Sequence, residues 1–400
     1  MHLLFTKIYS LTLTTLYQYI QLFAITSVCY NNYIKGGKVK LVSLFTGIGG
    51  FERGLDFAHI KYDPVFASEI DIPAQKTYLS NFKPNLLVGD ITKINEKDIP
   101  AHEFLVAGFP CQAFSIAGKR KGFEDARGTL FFDVLRILKY HKPNFFLLEN
   151  VKNLVNHDGS NTIRVILECL AELEDYSIDF SIINAKDAGA PQNRERTFIV
   201  GVKNGLKEPY ETDIHSPKID RLKKEFNQKQ YPSFNFFNCL KFKNNQLYIK
   251  DIISKEVEEK YYFNGEKIQR FLKENNFKED IIPQPKIVKL FDLPKTVHND
   301  MERQRRVYSI YGISPTVLAR SDTTKIYLKH GNKKTIRKFT PAENFRIQGF
   351  DEKFIQNILE KSHNSNTQLY KQAGNAVSPL VIAGIAKHLF KKKNGRSIWH

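Results

Sequence analysis

The stretch from Val42 to Gly50 reads VSLFTGIGG, a short apolar run followed at once by a glycine-rich turn. Phe51, Leu55 and Ala58 then recur at helical spacing on one face. A strand, a tight glycine turn and a helix form the first unit of a nucleotide-binding α/β fold, in which the glycines allow the backbone to approach a ligand closely. Such turns occur in NAD, flavin and S-adenosylmethionine (SAM) folds alike, so this turn alone does not identify a ligand.

Strands and helices alternate over the following 150 or so residues, at the spacing typical of βα units. Further strands are predicted at Val65 to Ala67, Leu86 to Val88, Phe104 to Ala107, Asn144 to Leu148 and Thr197 to Val202, with a helix at Leu130 to Tyr140. This alternation predicts an α/β fold of Rossmann-like type, with a mostly parallel sheet and helices on both faces.

The charge balance of the chain points to a polyanionic partner. Its 400 residues include 60 Lys and Arg against 42 Asp and Glu, a formal net charge of +18. Lys and Arg that neutralise phosphates release counterions, which favours binding to nucleic acid or an anionic membrane.

A hydrophobic content of 42% excludes the disordered and collagen-like classes of protein. The four cysteines include no C-x-x-C pair, so we expect neither a disulfide framework nor a bound metal.

The amino-terminal segment raises the question of a membrane anchor. Residues 8–34 contain no charged side chain over 27 positions, which is long enough to span a bilayer. Thr, Ser, Gln and Asn residues dilute its hydropathy, and it lacks the small-residue cleavage site of a secretory signal. Recognisable motifs begin abruptly at Lys40. We therefore expect translation to start near Val39, and residues 1–38 to be upstream sequence that is not translated. The alternative is a transmembrane anchor.

Acidic residues follow the second and third predicted strands. Glu69 stands about twenty residues after the glycine turn, where a carboxylate can accept both hydroxyls of a ribose. Asp90 ends the next strand, where it could accept the amino group of an adenine. Either acid alone could instead be a helix cap or turn residue. Together with the glycine turn, they favour a site for a nucleoside-containing cofactor.

A cysteine follows the fourth predicted strand directly, in Gly108 to Ser115 (GFPCQAFS). Lone cysteines are mostly inert, but Glu149 ends the neighbouring strand and brings a carboxyl beside the thiol of Cys111 at the same sheet edge. This pair suits activation of carbon 5 of cytosine: a thiolate adds at carbon 6 while an acid at ring nitrogen 3 absorbs the developing charge. Arg194 and Arg196 can supply the positive charge that lowers the pKa of a thiol.

In order along the chain, these blocks resemble those of the DNA cytosine-5 methyltransferases, most closely the small bacterial enzymes of type II restriction-modification systems. The similar blocks are Leu44 to Phe51, Gly108 to Ser115, Glu149 to Val151, Gln192 to Arg196, Arg337 to Phe350 (RKFTPAENFRIQGF) and Gln372 to Val377 (QAGNAV). The resemblance implies a SAM-dependent enzyme that methylates carbon 5 of a flipped-out cytosine in a short specific duplex DNA sequence. It also implies protection of that sequence from a cognate restriction endonuclease.

The resemblance further implies a role for individual residues. Cys111 would be the nucleophile, Glu149 the acid at nitrogen 3, and Arg194 and Arg196 the organisers of the active site. The SAM pocket would be lined by Phe45, Gly47, Ile48, Gly49, Glu69, Asp90, Pro110, Leu130 and Asn375. DNA would be contacted by Ser115, Arg303, Gln304 and Thr316, with Arg303 and Gln304 as candidates to fill the gap left by the flipped base. Residues 119–129 would form the loop that closes over DNA.

The second half of the chain differs in character from the first. After about Gly205 the alternation of strands and helices is no longer recognisable. Residues 302–338 contain ten Lys or Arg against two acids, interleaved with tyrosines. This pattern favours contact with a nucleic-acid backbone over an ordinary solvated face. We expect a catalytic SAM-binding domain at 39–210 and a smaller, irregular, basic target-recognition domain at 211–340. A hinge at 341–371 and a carboxyl-terminal segment at 372–400 that returns to the catalytic domain would follow.

Some alternatives stay open at this stage. A transfer-RNA cytosine-5 methyltransferase would share the same blocks, and a catalytically inactive DNA-binding regulator would share the charge. An NAD oxidoreductase would account for the glycines alone.

Ile70 stands where close relatives often carry an aromatic residue, so aliphatic packing would replace stacking on the adenine. We expect a monomer in the bacterial cytoplasm, associated with DNA and forming no stable complex with the endonuclease.

Overall fold

The computed structural model describes residues 37–110, 130–213, 216–242, 245–321, 323–393 and 396–399. Its central sheet contains β1 (Val39–Leu44), β2 (Tyr62–Ser68), β3 (Leu87–Val88), β4 (Phe104–Gly108), β5 (Phe145–Val151), β6 (Tyr176–Asn184) and β7 (Glu195–Lys203), in the spatial order β3-β2-β1-β4-β5-β7-β6. Neighbouring strands from β3 to β5 are parallel, whereas β7 is antiparallel to both β5 and β6. The predicted mostly parallel α/β sheet is confirmed.

Helices cover this sheet and continue through the rest of the described chain. They are α1 (Gly50–Phe57), α2 (Ile72–Leu79), α3 (Leu130–His141), α4 (Asn161–Ala171), α5 (Pro217–Gln228), α6 (Phe236–Cys239), α7 (Ile249–Ile252), α8 (Glu266–Glu274), α9 (Glu302–Arg305), α10 (Pro341–Gln348), α11 (Glu352–Lys361), α12 (Asn366–Asn375) and α13 (Pro379–Leu389). Among the described residues, no helix is long and apolar enough to cross a membrane. Residues 8–34, the candidate anchor, lie outside the described residues.

Alternate residues of β4 face two separate hydrophobic cores. Leu105 and Ala107 pack with α3 and α4 on one face of the sheet, whereas Phe104 and Val106 pack with α1 and α13 on the other. Helix α13 therefore returns from the end of the chain to lie beside α1. The contact is close at Gly54, where a β-carbon would come within 2.4 Å of Ile382. Covering both faces explains why the parallel strands are continuous apolar runs.

A second, smaller sheet lies in the later part of the chain. It contains β8 (Lys289–Asp292), β9 (Arg306–Tyr308), β10 (Lys325–His330) and β11 (Lys333–Lys338), in the spatial order β11-β10-β9-β8. Helix α8 packs on it through Ile268 and Leu272, which contact a core that includes Val307 and Ile336. A short hairpin of β12 (Lys392–Lys393) and β13 (Arg396–Ser397) ends the described chain.

The helices after the second sheet bring the chain back to the first one. Helices α10, α11 and α12 pack against α2 in a core that includes Tyr78, Phe345, Phe354 and Leu369. Because α2 follows β2, this packing places the carboxyl end of α12 opposite the carboxyl ends of the parallel strands. The two sides together form the walls of a cleft.

Candidate active site

A cleft of about 580 Å³ opens at the carboxyl ends of the parallel strands. This volume falls within the range of about 300–1,000 Å³ that is usual for small-molecule sites. Eight of the nine residues predicted for the SAM pocket line it: Phe45, Gly47, Ile48, Glu69, Asp90, Pro110, Leu130 and Asn375. Sheet topology accounts for this convergence, because the ends of adjacent parallel strands meet at one edge.

The ninth residue, Gly49, lies behind the cleft and does not line it. Its φ is +90°, a conformation that favours glycine, and it immediately precedes α1. A β-carbon at Gly49 would come within 2.2 Å of the ring of Phe82. This glycine therefore serves the turn and the packing of the helix, whereas Gly47 forms part of the cleft wall.

The two predicted acids are held differently at the cleft. Glu69 accepts hydrogen bonds from the backbone N–H groups of Gly47 and Asp71, both at 2.8 Å. Burial raises the pKa of the Glu69 carboxyl, and those bonds oppose the shift. Asp90 accepts from the hydroxyl and the backbone N–H of Thr92, at 2.7 and 3.1 Å, which lowers its pKa. Asp90 is thus both a turn cap and a cleft residue.

Glu149 lies at the inner end of the cleft beside the segment that leads to Cys111. In the parallel register of β4 and β5, Gly108 is the partner of Glu149, and a β-carbon on that glycine would stand 3.5 Å from Glu149 Oε2. The buried amide of Asn150 donates to the carbonyl of Phe109 at 2.8 Å, which fixes the end of β4. Cys111 and Ser115 themselves lie outside the described residues.

The Glu149 carboxyl is paired with Arg196. Arg196 Nε and Glu149 Oε1 are 3.1 Å apart, and both side chains are largely buried. Burial raises the pKa of Glu149, although the charges of Arg196 and Arg194 act in the opposite direction. A carboxyl with a raised pKa retains its proton to higher pH, so this group is suited to donate a proton to a bound base.

Arg194 does not line the cleft, although the charges of Arg196 and Glu149 both act on it. Its buried guanidinium donates to the backbone carbonyls of Val317, Gly374 and Ala376, at 3.3, 2.9 and 2.8 Å. Burial, with the charge of Arg196 adding to it, lowers the pKa of Arg194 to about 9. Arg194 is therefore held by backbone carbonyls and lies off the cleft wall, and its role as an organiser of the active site stays a prediction.

A second, smaller pocket brings together the predicted DNA contacts among the described residues. Arg303, Gln304 and Thr316 line it, and Arg306 and Arg320 add further positive charge. Not every cation of the 302–338 run belongs to this surface. Arg337 is only 1% exposed and pairs with Glu343 at 2.8 Å, so it does not present its charge to DNA.

Sequence reasoning missed one pair of residues at the cleft mouth. Lys371 of α12 and Asp71 before α2 form an ion pair of 2.7 Å, and both line the cleft. Lys371 directly precedes the QAGNAV block, so its position beside that block was the one available signal. No group of three or more His, Cys, Asp or Glu side chains that could hold a metal is present in the part of the chain that the structure describes.

The buried carboxyl leads to a stability prediction. Because the folded-state pKa of Glu149 is raised, the folded protein binds this proton more tightly than the unfolded chain does, and stability is lost as pH rises from about 4.3 through the folded pKa. Glu149→Gln removes this loss. We therefore expect the melting temperature of the variant, relative to wild type, to increase from pH 5 to pH 8. Glu172→Gln, at an exposed glutamate, is the control, and a constant or falling difference for Glu149→Gln would contradict the prediction.

Comparison with known proteins places the whole arrangement in a family. The family model described as C-5 cytosine-specific DNA methylase matches residues 39–391. The chain is 37% identical over 367 residues to the type II methyltransferase M1.ScrFI of Lactococcus lactis subsp. cremoris, covering 89% of this chain and 79% of that protein. It is 36% identical over 362 residues to the type II methyltransferase M.HhaI of Haemophilus parahaemolyticus, covering 89% and 95%.

A solved structure agrees at the level of the fold. DNMT2 of Spodoptera frugiperda superimposes with a TM-score of 0.62 at 19% identity, covering 88% of this chain and all of that one. The fold, the order of the blocks and the extent of the family match lead to one assignment. This chain belongs to the C-5 cytosine-specific DNA methylase family.

Proposed function

We propose that this protein transfers a methyl group from SAM to carbon 5 of a flipped-out cytosine in a short, specific duplex DNA sequence, and thereby protects that sequence from a cognate restriction endonuclease. The observation that carries the proposal is the register of β4 and β5. This register sets the Glu149 carboxyl beside the segment that leads into Cys111. Glu149 lines the same cleft as Glu69 and Asp90, which follow other strands of the sheet.

The cleft has the chemistry that SAM requires. Enzymes of this family use SAM as methyl donor, and the bound molecule supplies an electrophilic methyl group. Glu69 would accept hydrogen bonds from the ribose hydroxyls, and Asp90 from the adenine amino group. Phe45, Ile70 and Leu130 give the cleft its apolar surface for the purine.

Two groups of the chain would activate the cytosine. The Cys111 thiolate forms a bond to carbon 6, and the ring electrons move toward nitrogen 3, where the Glu149 carboxyl delivers its proton. Carbon 5 of the resulting enamine is nucleophilic and would accept the methyl group, with S-adenosylhomocysteine as the leaving product. Solvent water would then take the proton from carbon 5, which expels the Cys111 thiolate, and nitrogen 3 would return its proton to the Glu149 carboxylate, so that the aromatic ring is restored. Neither ring position is reachable in stacked DNA, so the base must leave the helix.

The choice of DNA over RNA rests on two observations. The relatives at 36–37% identity are named type II methyltransferases, the class of restriction-modification systems. Arg303, Arg306 and Arg320 line the second pocket, and although Glu302 pairs with Arg306 at 2.7 Å, their net positive charge suits the backbone of a duplex. We further propose that the protein acts as a monomer in the bacterial cytoplasm, without a stable complex with the endonuclease.

Bisulfite sequencing tests the proposal. The protein is expressed in a host that lacks cytosine methylation, and the host DNA is compared with DNA from cells carrying an empty vector. We expect protected cytosines in one short sequence context, which would also reveal the target. Unprotected DNA with new 5-methylcytosine in transfer RNA would instead support the RNA alternative.

The exposed position next to the ribose acid gives a prediction for SAM affinity. Ile70 lines the cleft and is 70% exposed. Ile70→Trp would provide an aromatic face for the adenine, and such contacts are worth about 0.5–1.5 kcal/mol, so we expect the Kd for SAM to fall about twofold to twelvefold. Isothermal titration calorimetry measures it. Ile282→Trp, at an isoleucine that is 67% exposed and does not line the cleft, is the matched control. An unchanged or weaker affinity for Ile70→Trp would contradict adenine binding at this wall.

A further inference from the structure

Residues 314–320, here called the recognition segment, lie against the residues that lead into β7. The backbone N–H of Asn193 donates to the carbonyl of Ser314 at 2.9 Å, and the hydroxyl of Thr316 donates to the carbonyl of Asn193 at 2.6 Å. The backbone N–H of Val317 donates to the side-chain oxygen of Gln192 at 3.1 Å. These bonds fix the recognition segment to the same stretch that carries Arg194 and Arg196.

Arg194 extends this connection to residues 372–377, here called the closing block. Its Nη1 donates to Val317 O in the recognition segment, while its Nη2 donates to Gly374 O and Ala376 O in the closing block. The side chain is only 2% exposed, and its Nε has no hydrogen-bond partner among the described residues. Burying a guanidinium among neutral carbonyls costs free energy, and the lowered pKa of Arg194 reflects this cost. The placement of Arg194 is therefore unlike that of an ordinary surface arginine.

The two segments that Arg194 joins also touch each other directly. A β-carbon on Gly374 would come within 2.2 Å of both the Leu318 carbonyl carbon and the Ala319 nitrogen. Only glycine permits this approach of one backbone to the other. A displacement of either segment must therefore displace the other or break the three arginine bonds.

Each segment belongs to a different site. Thr316, Val317 and Leu318 line the basic pocket. Gly374, Asn375 and Ala376 line the SAM cleft. The contacts of Arg194 thus run from the wall of one site to the wall of the other.

We propose that Arg194 is a positioning residue that couples DNA binding at the basic pocket to cofactor binding in the cleft. The inference rests on the proposed function, which assigns DNA to the first site and SAM to the second. DNA that contacts the recognition segment restricts its position, and through Arg194 it restricts the wall around Asn375. Because coupling between two binding sites is reciprocal, bound cofactor must tighten DNA binding by the same factor.

The test measures this factor with S-adenosylhomocysteine as the cofactor probe. Its Kd is determined by calorimetry with and without a duplex that carries the context found by bisulfite sequencing, and the ratio of the two values is the coupling factor. For wild type we expect a factor of about five or more, which is the lower range of allosteric couplings. Arg194→Lys keeps the charge but replaces the two Nη nitrogens by a single ammonium, which cannot stand at both positions, and we expect its factor to approach one.

A matched control separates coupling from stability. Arg337→Lys alters another buried arginine, which pairs with Glu343 and lines neither site, so its coupling factor should equal that of wild type. Thr316→Val removes the neighbouring bond to Asn193 and should lower the factor even if Arg194→Lys fails to fold.

The outcomes distinguish this inference from the proposed function. A factor unchanged from wild type in Arg194→Lys, or in Thr316→Val where the lysine variant does not fold, would overturn the coupling role alone. A wild-type factor of one would do the same. A wild-type protein that transfers no methyl group to the duplex would overturn the proposed function and, with it, the inference.

Discussion

Cys111→Ser is expected to abolish methyl transfer to duplex DNA while SAM binding survives. A serine hydroxyl is essentially un-ionised at neutral pH, whereas a thiol near positive charge is partly thiolate, so the variant would lack the nucleophile that is proposed to add to carbon 6. Removing a catalytic nucleophile costs rates on the order of 10⁴-fold or more. In the sequence Cys111 follows β4, whereas the proposed contacts to the ribose and adenine belong to Glu69 and Asp90, so the Kd for SAM should change little.

Incorporation of a tritiated methyl group and calorimetry with SAM measure the two properties of this variant. Cys239→Ser, at an exposed cysteine of α6 far along the chain, is the matched control and should retain wild-type activity. Methyl incorporation by Cys111→Ser at a rate near that of wild type would defeat the proposed chemistry.

The second large effect is expected at Glu149. Glu149→Gln keeps the size of the side chain and can still contact Arg196, but it has no acidic proton to deliver to nitrogen 3 of the base. General acids contribute about 10²–10⁴-fold to rate, and we expect kcat to fall within that range. The KM for SAM should stay near its wild-type value, since the proposed contacts to the ribose and adenine belong to Glu69 and Asp90.

Steady-state kinetics on duplex DNA test this expectation, with Glu172→Gln again as the control at an exposed glutamate. A kcat for Glu149→Gln within about threefold of wild type would show that this carboxyl is not the acid. In that case the raised pKa of Glu149 would be a consequence of burial without a catalytic use.

The sequence was sufficient to predict the parallel strands and the edge where the site lies. Strands such as β4 are buried on both faces, so they appear as apolar runs that are easily recognised. Glu69, Asp90 and Glu149 follow such runs directly, and sheet topology then brings them to one edge. That rule needs no knowledge of side-chain packing, which is why the cleft residues were predictable.

Strand β6 was not predicted because its polar residues are buried. Tyr176–Asn184 includes Asp179, which is fully buried and pairs with Lys223 of α5 at 2.9 Å. An aspartate in an apolar run indicates a turn unless its partner is known, and that partner comes from a helix more than 40 residues later. The second sheet was missed for a related reason, since Arg337 in β11 depends on Glu343 for its burial.

Some features of the candidate site could not be predicted from the sequence, also for physical reasons. Spacing cannot distinguish a glycine that lines the cleft, such as Gly47, from one that packs under a ring, such as Gly49. It likewise cannot distinguish Arg196, which pairs with Glu149, from Arg194, which reaches backbone carbonyls of two distant segments. These differences depend on tertiary contacts between residues that are 33 positions apart for Gly49 and Phe82, 47 apart for Glu149 and Arg196, and 123 or more apart for the partners of Arg194.

The most direct test of the central claim is the identity of the methylated nucleoside. Purified protein is incubated with SAM and unmethylated duplex DNA, the DNA is digested to nucleosides, and the products are analysed by mass spectrometry against authentic standards. The proposed function predicts 5-methyldeoxycytidine as the product, and its absence with Cys111→Ser. Methylation at the exocyclic nitrogen of cytosine, or DNA that stays unmethylated while transfer RNA is modified, would contradict it.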